Sequence, residues 1–183
     1  MTDLKHATPT KLLWVDLEMT GLDPQKDIIL EIAAEITDFD YKPLASYEAR
    51  VHHPAALVQE RMQANPWWNS YPENRDDFLS KLPEGKPLAE IEKDLIALVK
   101  THFGDEPAIL AGNSIHADRS FIESHWPDLF ALLHYRVLDV TSWKVVMQGK
   151  YGVEYPKKET HRAFDDIHES MEELQFYVSK LKA

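Results

Sequence analysis

The 183 residues carry 31 Asp and Glu against 20 Lys and Arg, a formal net charge of −11, with 44% hydrophobic residues and no cysteine. That length suits one domain with a sizeable core, and the missing cysteines exclude disulfides and thiolate metal centres, leaving carboxylate or imidazole to hold any metal. The acidity excludes a protein that wraps a long polyanion, because such binding draws on neutralised phosphates; a nucleic-acid substrate would be short and gripped locally. No run approaches the ~18 apolar residues of a membrane span. The reading is a soluble, cytoplasmic, single domain over residues 1–183, with the polar residues 1–10 as a flexible N-terminus.

Residues 12–21, LLWVDLEMTG, form an apolar run that carries two carboxylates two positions apart and stops at a glycine. As a strand, it points Asp16 and Glu18 to the same face, where they repel unless a cation lies between them. Hard divalent metals take oxygen ligands of this kind. After the turn residues of 21–27, the β-branched run 28–36 reads as a second strand and 44–52 as a third, ended by Pro54. The three form an antiparallel meander. Glu31 and Glu35 read as polar positions in or beside the second strand and are left out of the site.

Residues 55–87 have no long periodicity and read as short helices joined by loops. Trp67 and Trp68 are either core anchors or platforms for stacking on bases. From Leu88 onward Ile91, Leu95, Leu98 and Val99 share one helical face, and Gly104 ends the helix. Residues 108–112 are a short buried strand, followed by Asn113 and Ser114 as caps of a helical segment running to Trp126. Asp118 falls just past the strand's carboxyl end, where open α/β sheets place ligands, although a first-turn acid also suits the helix dipole. A strand over 135–140 leads into a helix ending near Gly149, with Asp139 as a cap or strand-end acid.

The last helix turns Ile167, Met171, Leu174, Val178 and Leu181 inward. His161 and Asp166 are five residues apart, a rotation of roughly 140° on a helix, so both line one pocket only if His161 lies before or at the first turn. From there an imidazole, titrating near neutrality, can act as general base beside a metal-binding Asp166. Among the other histidines, His116 lies close to Asp118 and is the one competing candidate.

Asp16-Leu17-Glu18, then Asp118 within the stretch GNSIHADRSF, then His161 with Asp166, resembles the ordered acidic set of the DEDDh 3′–5′ exonucleases. The stretches WVDLEMTGLD, GNSI, HYR and THRAFDDI are similar to those of the oligoribonucleases within that group. The resemblance implies an α/β, RNase H-like fold: a mixed five-stranded sheet, antiparallel meander plus parallel strands, with flanking helices. It implies two divalent ions, Mg²⁺ or Mn²⁺, held by Asp16, Glu18, Asp118 and Asp166, with His161 as general base for an in-line displacement at phosphorus. The implied activity is degradation of very short RNA, down to dinucleotides, to nucleoside 5′-monophosphates; the alternative is a related enzyme trimming single-stranded DNA or longer RNA 3′ ends.

Family members cap the substrate's 5′ phosphate, and Ser114, Arg136, Thr141 and Thr160 match those positions, with Thr141 where a serine is usual. They are homodimers in which the residue matching Tyr135 reaches the partner's active site, and Leu22 matches a residue that wedges against a base. The departure lies in residues 57–87, where bacterial members carry a tryptophan and, five residues on, a histidine. Here Trp67 and Trp68 compete for the first role, and Pro72 or Glu73 stands in the place of the second.

Overall fold

A computed structural model describes residues 8–156 and 163–181. Five strands, β1 (Lys11–Met19), β2 (Ile29–Asp38), β3 (Pro43–Arg50), β4 (Ala108–Gly112) and β5 (Leu133–Asp139), make one sheet in the order β3-β2-β1-β4-β5. β1 pairs antiparallel with β2 and parallel with β4, so the expected meander and the parallel half meet at the strand that carries Asp16 and Glu18. The central position follows from composition: the apolar residues Leu12 to Val15 and Leu17 of β1 are buried, and β2 is buried along nearly its whole length, as strands covered on both faces must be.

Alternation along β1 separates two cores. Leu13, Val15 and Leu17 pack beneath α4 (Leu88–Phe103) and α5 (His116–His125), through Ile91, Leu95, Val99, Phe121 and Ile122. Leu12 and Trp14 face α8 (Ala163–Leu181), through Ile167, Met171 and Leu174. Asp16 and Glu18 continue the second series, which puts their carboxylates on the α8 side of the sheet. A third cluster, Leu30, Val58, Met62, Trp68, Phe78 and Leu82, is closed by α1 (Ala55–Ala64), α2 (Pro66–Ser70), α3 (Pro72–Lys81) and a 3₁₀ turn. Residues 55–87 are therefore short helices, as expected. The short α6 (Pro127–Phe130) precedes β5, and α7 (Val140–Tyr151) follows it. Among the described residues no helix is long and apolar enough to cross a membrane.

The structure corrects several local readings. α7 runs past Gly149 and stops at Gly152, whose φ of 64° is the left-handed conformation that terminates helices at low cost for glycine. Asn113 and Ser114 do not cap α5, which begins at His116 with no side-chain cap; both are bonded elsewhere. Leu181 is exposed, since the last turn of α8 runs beyond the sheet. Glu31 and Glu35 are buried, each beside a partner: Arg50 Nε lies 3.1 Å from Glu31, and His168 Nε2 lies 3.0 Å from Glu35. Gly112 is required by close approach, because a Cβ there would stand 2.8 Å from the Val15 carbonyl oxygen.

Candidate active site

Three chain segments meet where β1 runs out beneath α8. Asp16 and Glu18 come from the strand, and Asp166 from the first turn of α8, where the positive end of the helix dipole favours an acid. One ligand atom of each of these three carboxylates lies within 4.8 Å of the others, and among the described residues this is the one group of such composition. At an effective dielectric of ~20, charges that close repel by at least ~3 kcal/mol per pair. An all-oxygen set of this density matches the demands of hard divalent cations.

Asp118 joins from the first turn of α5. β1 and β4 pair only at Leu13 with Leu110 and at Trp14 with Ala111, so β1 continues beyond the end of its parallel partner. The Leu17 amide, between Asp16 and Glu18, donates instead to Asp118 Oδ1 at 2.9 Å. That bond locks the fourth acid against the strand carrying the first two. Asp118 is 6% exposed, and burial pushes its carboxyl up to about 7 although the Leu17 amide pulls the other way. A neighbouring cation would reverse this penalty, which is the second feature that fits a metal centre. His116 does not compete with it: its ring is exposed and stands 3.5 Å from Asp139. Asp139 itself caps α7 through the Thr141 amide at 2.9 Å, as read from the sequence.

Glu18 also lines a cavity of about 320 Å³ with Leu17, Met19, Gly21, Leu22, Asn65, Trp67 and Trp68. Leu22 is 79% exposed at its rim. The two tryptophans divide their roles. Trp68, 1% exposed, is a core residue packed edge-on against Phe78, and its indole N–H donates to the Thr20 carbonyl at 3.0 Å. Trp67 is 37% exposed, stands edge-on to Trp68 at 4.8 Å and lies 4.5 Å from the Tyr71 ring. Of the pair, Trp67 is the exposed ring, while Trp68 lines the same cavity as a buried core residue. In the segment where a histidine is usual, Tyr71 occupies the aromatic neighbourhood of Trp67.

The residues matched to a phosphate cap are only partly gathered. Ser114 and Thr141 hydroxyl oxygens lie 3.1 Å apart, and the Ser114 amide donates to Thr141 Oγ1 at 2.9 Å and to Asp139 Oδ1 at 3.1 Å. Arg136 lies elsewhere, lining a groove with Thr8, Lys11, Phe103 and Ile109. Tyr135 is 65% exposed on the edge strand β5. His161 and Thr160 lie outside the described residues. Asn113 is the residue whose part was misread: its side chain reaches α8, and the signal available was only an amide at a strand end, which a helix cap explains equally well.

A five-stranded mixed sheet in this order, with carboxylates from β1 and the last helix crowded at its centre, is the arrangement of the RNase H-like nucleases. The solved exonuclease I of Methylocaldum szegediense superposes with a TM-score of 0.59 at 13% identity, over 91% of this chain and 40% of its own, which shows the shared fold. The Exonuclease (RNase_T) family matches residues 13–174. The oligoribonuclease of Thiobacillus denitrificans is 34% identical over 173 residues, 92% of this chain and 93% of that one. A probable oligoribonuclease of Caenorhabditis elegans is 38% identical over 170 residues, and the mitochondrial oligoribonuclease of Mus musculus is 37% identical over 179, with 91% and 93% of this chain covered and 86% and 73% of theirs. The chain belongs to the Exonuclease family and, within it, to the oligoribonucleases.

Proposed function

We propose that this chain, as one domain spanning residues 1–183, is a 3′–5′ exoribonuclease that degrades very short RNA, down to dinucleotides, to nucleoside 5′-monophosphates in the cytoplasm. The observation that carries this reading is that Glu18 belongs at once to the acidic cluster and to the wall of the cavity bounded by Leu22 and Trp67. A terminal base seated against Trp67 brings the adjoining phosphodiester to the acids. Such a pocket holds one base, and the acidic chain supplies no basic track for a long strand.

Asp16, Glu18, Asp118 and Asp166 would hold two divalent ions, Mg²⁺ or Mn²⁺, a donor set that fits because every ligand is a carboxylate and one is buried, where a cation favours its charged form. When bound, such a pair supplies positive charge for the attacking water and for the leaving 3′ oxygen. His161 takes the proton of that water as it attacks phosphorus. Trp67 stacks on the 3′ base, Leu22 wedges against it, and Ser114, Thr141 and Thr160 bind the 5′ phosphate, Arg136 lying too far from this pair within one protomer to join them. His161→Ala, assayed with saturating Mn²⁺, is expected to lower kcat by ~10²–10⁴-fold, the usual cost of losing a general base.

A homodimer suits the free edge of β5 and the exposed apolar residues beside it, Tyr135, Val145, Val146 and Tyr151. Tyr135 of one protomer would then reach the other's site. The deciding test is a time course on 5′-labelled dinucleotide, seven-residue RNA and single-stranded DNA with Mg²⁺, Mn²⁺ or chelator. Fastest metal-dependent turnover of the dinucleotide is expected; preference for the longest RNA or for DNA would overturn the short-RNA reading.

A further inference from the structure

α8 buries more than its apolar stripe. Ser170 and Glu173 are covered beside Met171, Leu174 and Tyr177, with Glu173 only 2% exposed. A carboxylate in such a place is tolerated when its oxygens are bonded. Those of Glu173 are: the Tyr177 hydroxyl donates to Oε1 at 2.8 Å, and the Asn113 amide nitrogen donates to Oε2 at 3.1 Å. The same Asn113 nitrogen donates to Ser170 Oγ at 2.9 Å. Burial, and then the hydrogen bond to Glu173, push the Tyr177 phenol well above its ordinary range, so it stays a donor.

These bonds give the network a direction. An ionised carboxylate only accepts, so Glu173 draws the NH₂ of Asn113 toward α8 and leaves its carbonyl oxygen pointing the other way. That oxygen accepts from the Thr141 hydroxyl at 3.4 Å. Thr141 Oγ1 in turn accepts the Ser114 amide, and Ser114 is held at a φ of 50°, a left-handed conformation that a serine keeps only when its surroundings impose it. The chain from Tyr177 through Glu173, Asn113 and Thr141 to Ser114 links the last helix to the turn after β4 and the first turn of α7.

We propose that Glu173, acting through Asn113, is a positioning residue that sets the direction of the Ser114–Thr141 hydroxyl pair for the terminal 5′ phosphate of the substrate. This rests on the reading of Ser114 and Thr141 as phosphate-binding residues. The test is steady-state kinetics of Glu173→Gln on two dinucleotides that differ only in carrying a 5′ phosphate or a 5′ hydroxyl. Glutamine keeps the size but has one acceptor oxygen for two donors, so serving Tyr177 turns its NH₂ on Asn113 and reverses that amide.

The advantage of the phosphorylated substrate in kcat/KM should fall about three- to tenfold, the worth of one hydrogen bond, carried by KM with kcat nearly unchanged. Ser170→Ala removes the other acceptor of the same nitrogen with little strain on the fold, and should move the same ratio in the same direction. An advantage unchanged in both variants, or an equal loss on both substrates, overturns the proposal. Thr141→Val is the control for its premise: if that variant also leaves the phosphate advantage intact, Ser114 and Thr141 do not bind the phosphate, and the underlying reading fails with it.

Discussion

Asp16→Asn is expected to abolish metal-dependent hydrolysis while leaving the metal-free protein as stable as the parent, or more so. Asparagine keeps the shape of the side chain on β1 but removes one of three charges whose ligand atoms lie within 4.8 Å. In the absence of metal that removal relieves repulsion, so stability should not fall. With metal present the balance inverts, because the variant exchanges a charged ligand for a neutral and weaker one. Losing an outer partner of a metal ligand commonly costs 10–100-fold, and losing the ligand itself should exceed ~10³-fold.

Two measurements check this together. Thermal melts with chelator and with Mn²⁺ should show the parent gaining stability on metal addition, as any ligand of the folded state confers, and the variant gaining much less. Turnover of a labelled dinucleotide should collapse in the same samples. A variant that still turns over at the parental rate with Mn²⁺ would remove Asp16 from the site. A variant that unfolds in chelator would show that Asp16 serves the fold instead of the metal.

The site was legible where chemistry and period coincide. Two acids two residues apart in an apolar strand announce a charged patch on one sheet face; Asp166 alone is explained as well by the helix dipole, and only its place in the ordered acidic set singled it out. The meander and the two later strands were legible, with bounds within a few residues, whereas the place of β4 beside β1 appears only in the structure. Illegible features were those decided by tertiary partners.

Glu31, Glu35 and Glu173 look like solvated acids until Arg50, His168, Asn113 and Tyr177 are seen beside them. Asn113 has the composition of a helix cap, yet the acceptors of its amide lie 57 and 60 residues away on α8. Gly149 and Gly152 are equally good helix terminators on paper; it is Gly152 that takes the left-handed conformation, its amide and that of Val153 capping the Gln148 and Met147 carbonyls. A hydroxyl pair such as Ser114 and Thr141, on different elements, has no signature in either stretch taken alone.

The paired tryptophans offer a sharper separation, because adjacent residues of one type should fail in opposite ways. Trp68→Ala is expected to cost about 3–5 kcal/mol of stability, the range for emptying a large aromatic from a core. Its ring fills the cluster with Leu30, Val58, Met62 and Phe78, and its N–H shares the Thr20 carbonyl with the Asn65 side chain, which donates to it at 2.9 Å. In a chain of 183 residues a loss of that size lowers the melting temperature by about 10 °C or more.

Trp67→Ala should leave the melt nearly unchanged, since part of its ring is already in water. Its effect belongs to substrate: base stacking on an aromatic contributes about 1–3 kcal/mol, so KM for a dinucleotide should rise roughly five- to a hundredfold. Trp67→Phe, which retains a smaller stacking face, should recover part of that loss, whereas Trp68→Phe should recover stability only as far as phenylalanine fills the space. Melts and kinetics on the four variants separate the roles. A Trp67→Ala protein with parental KM would mean that the cavity beside Glu18 does not receive the base, and the cleavable phosphodiester would have to approach the acids from another side.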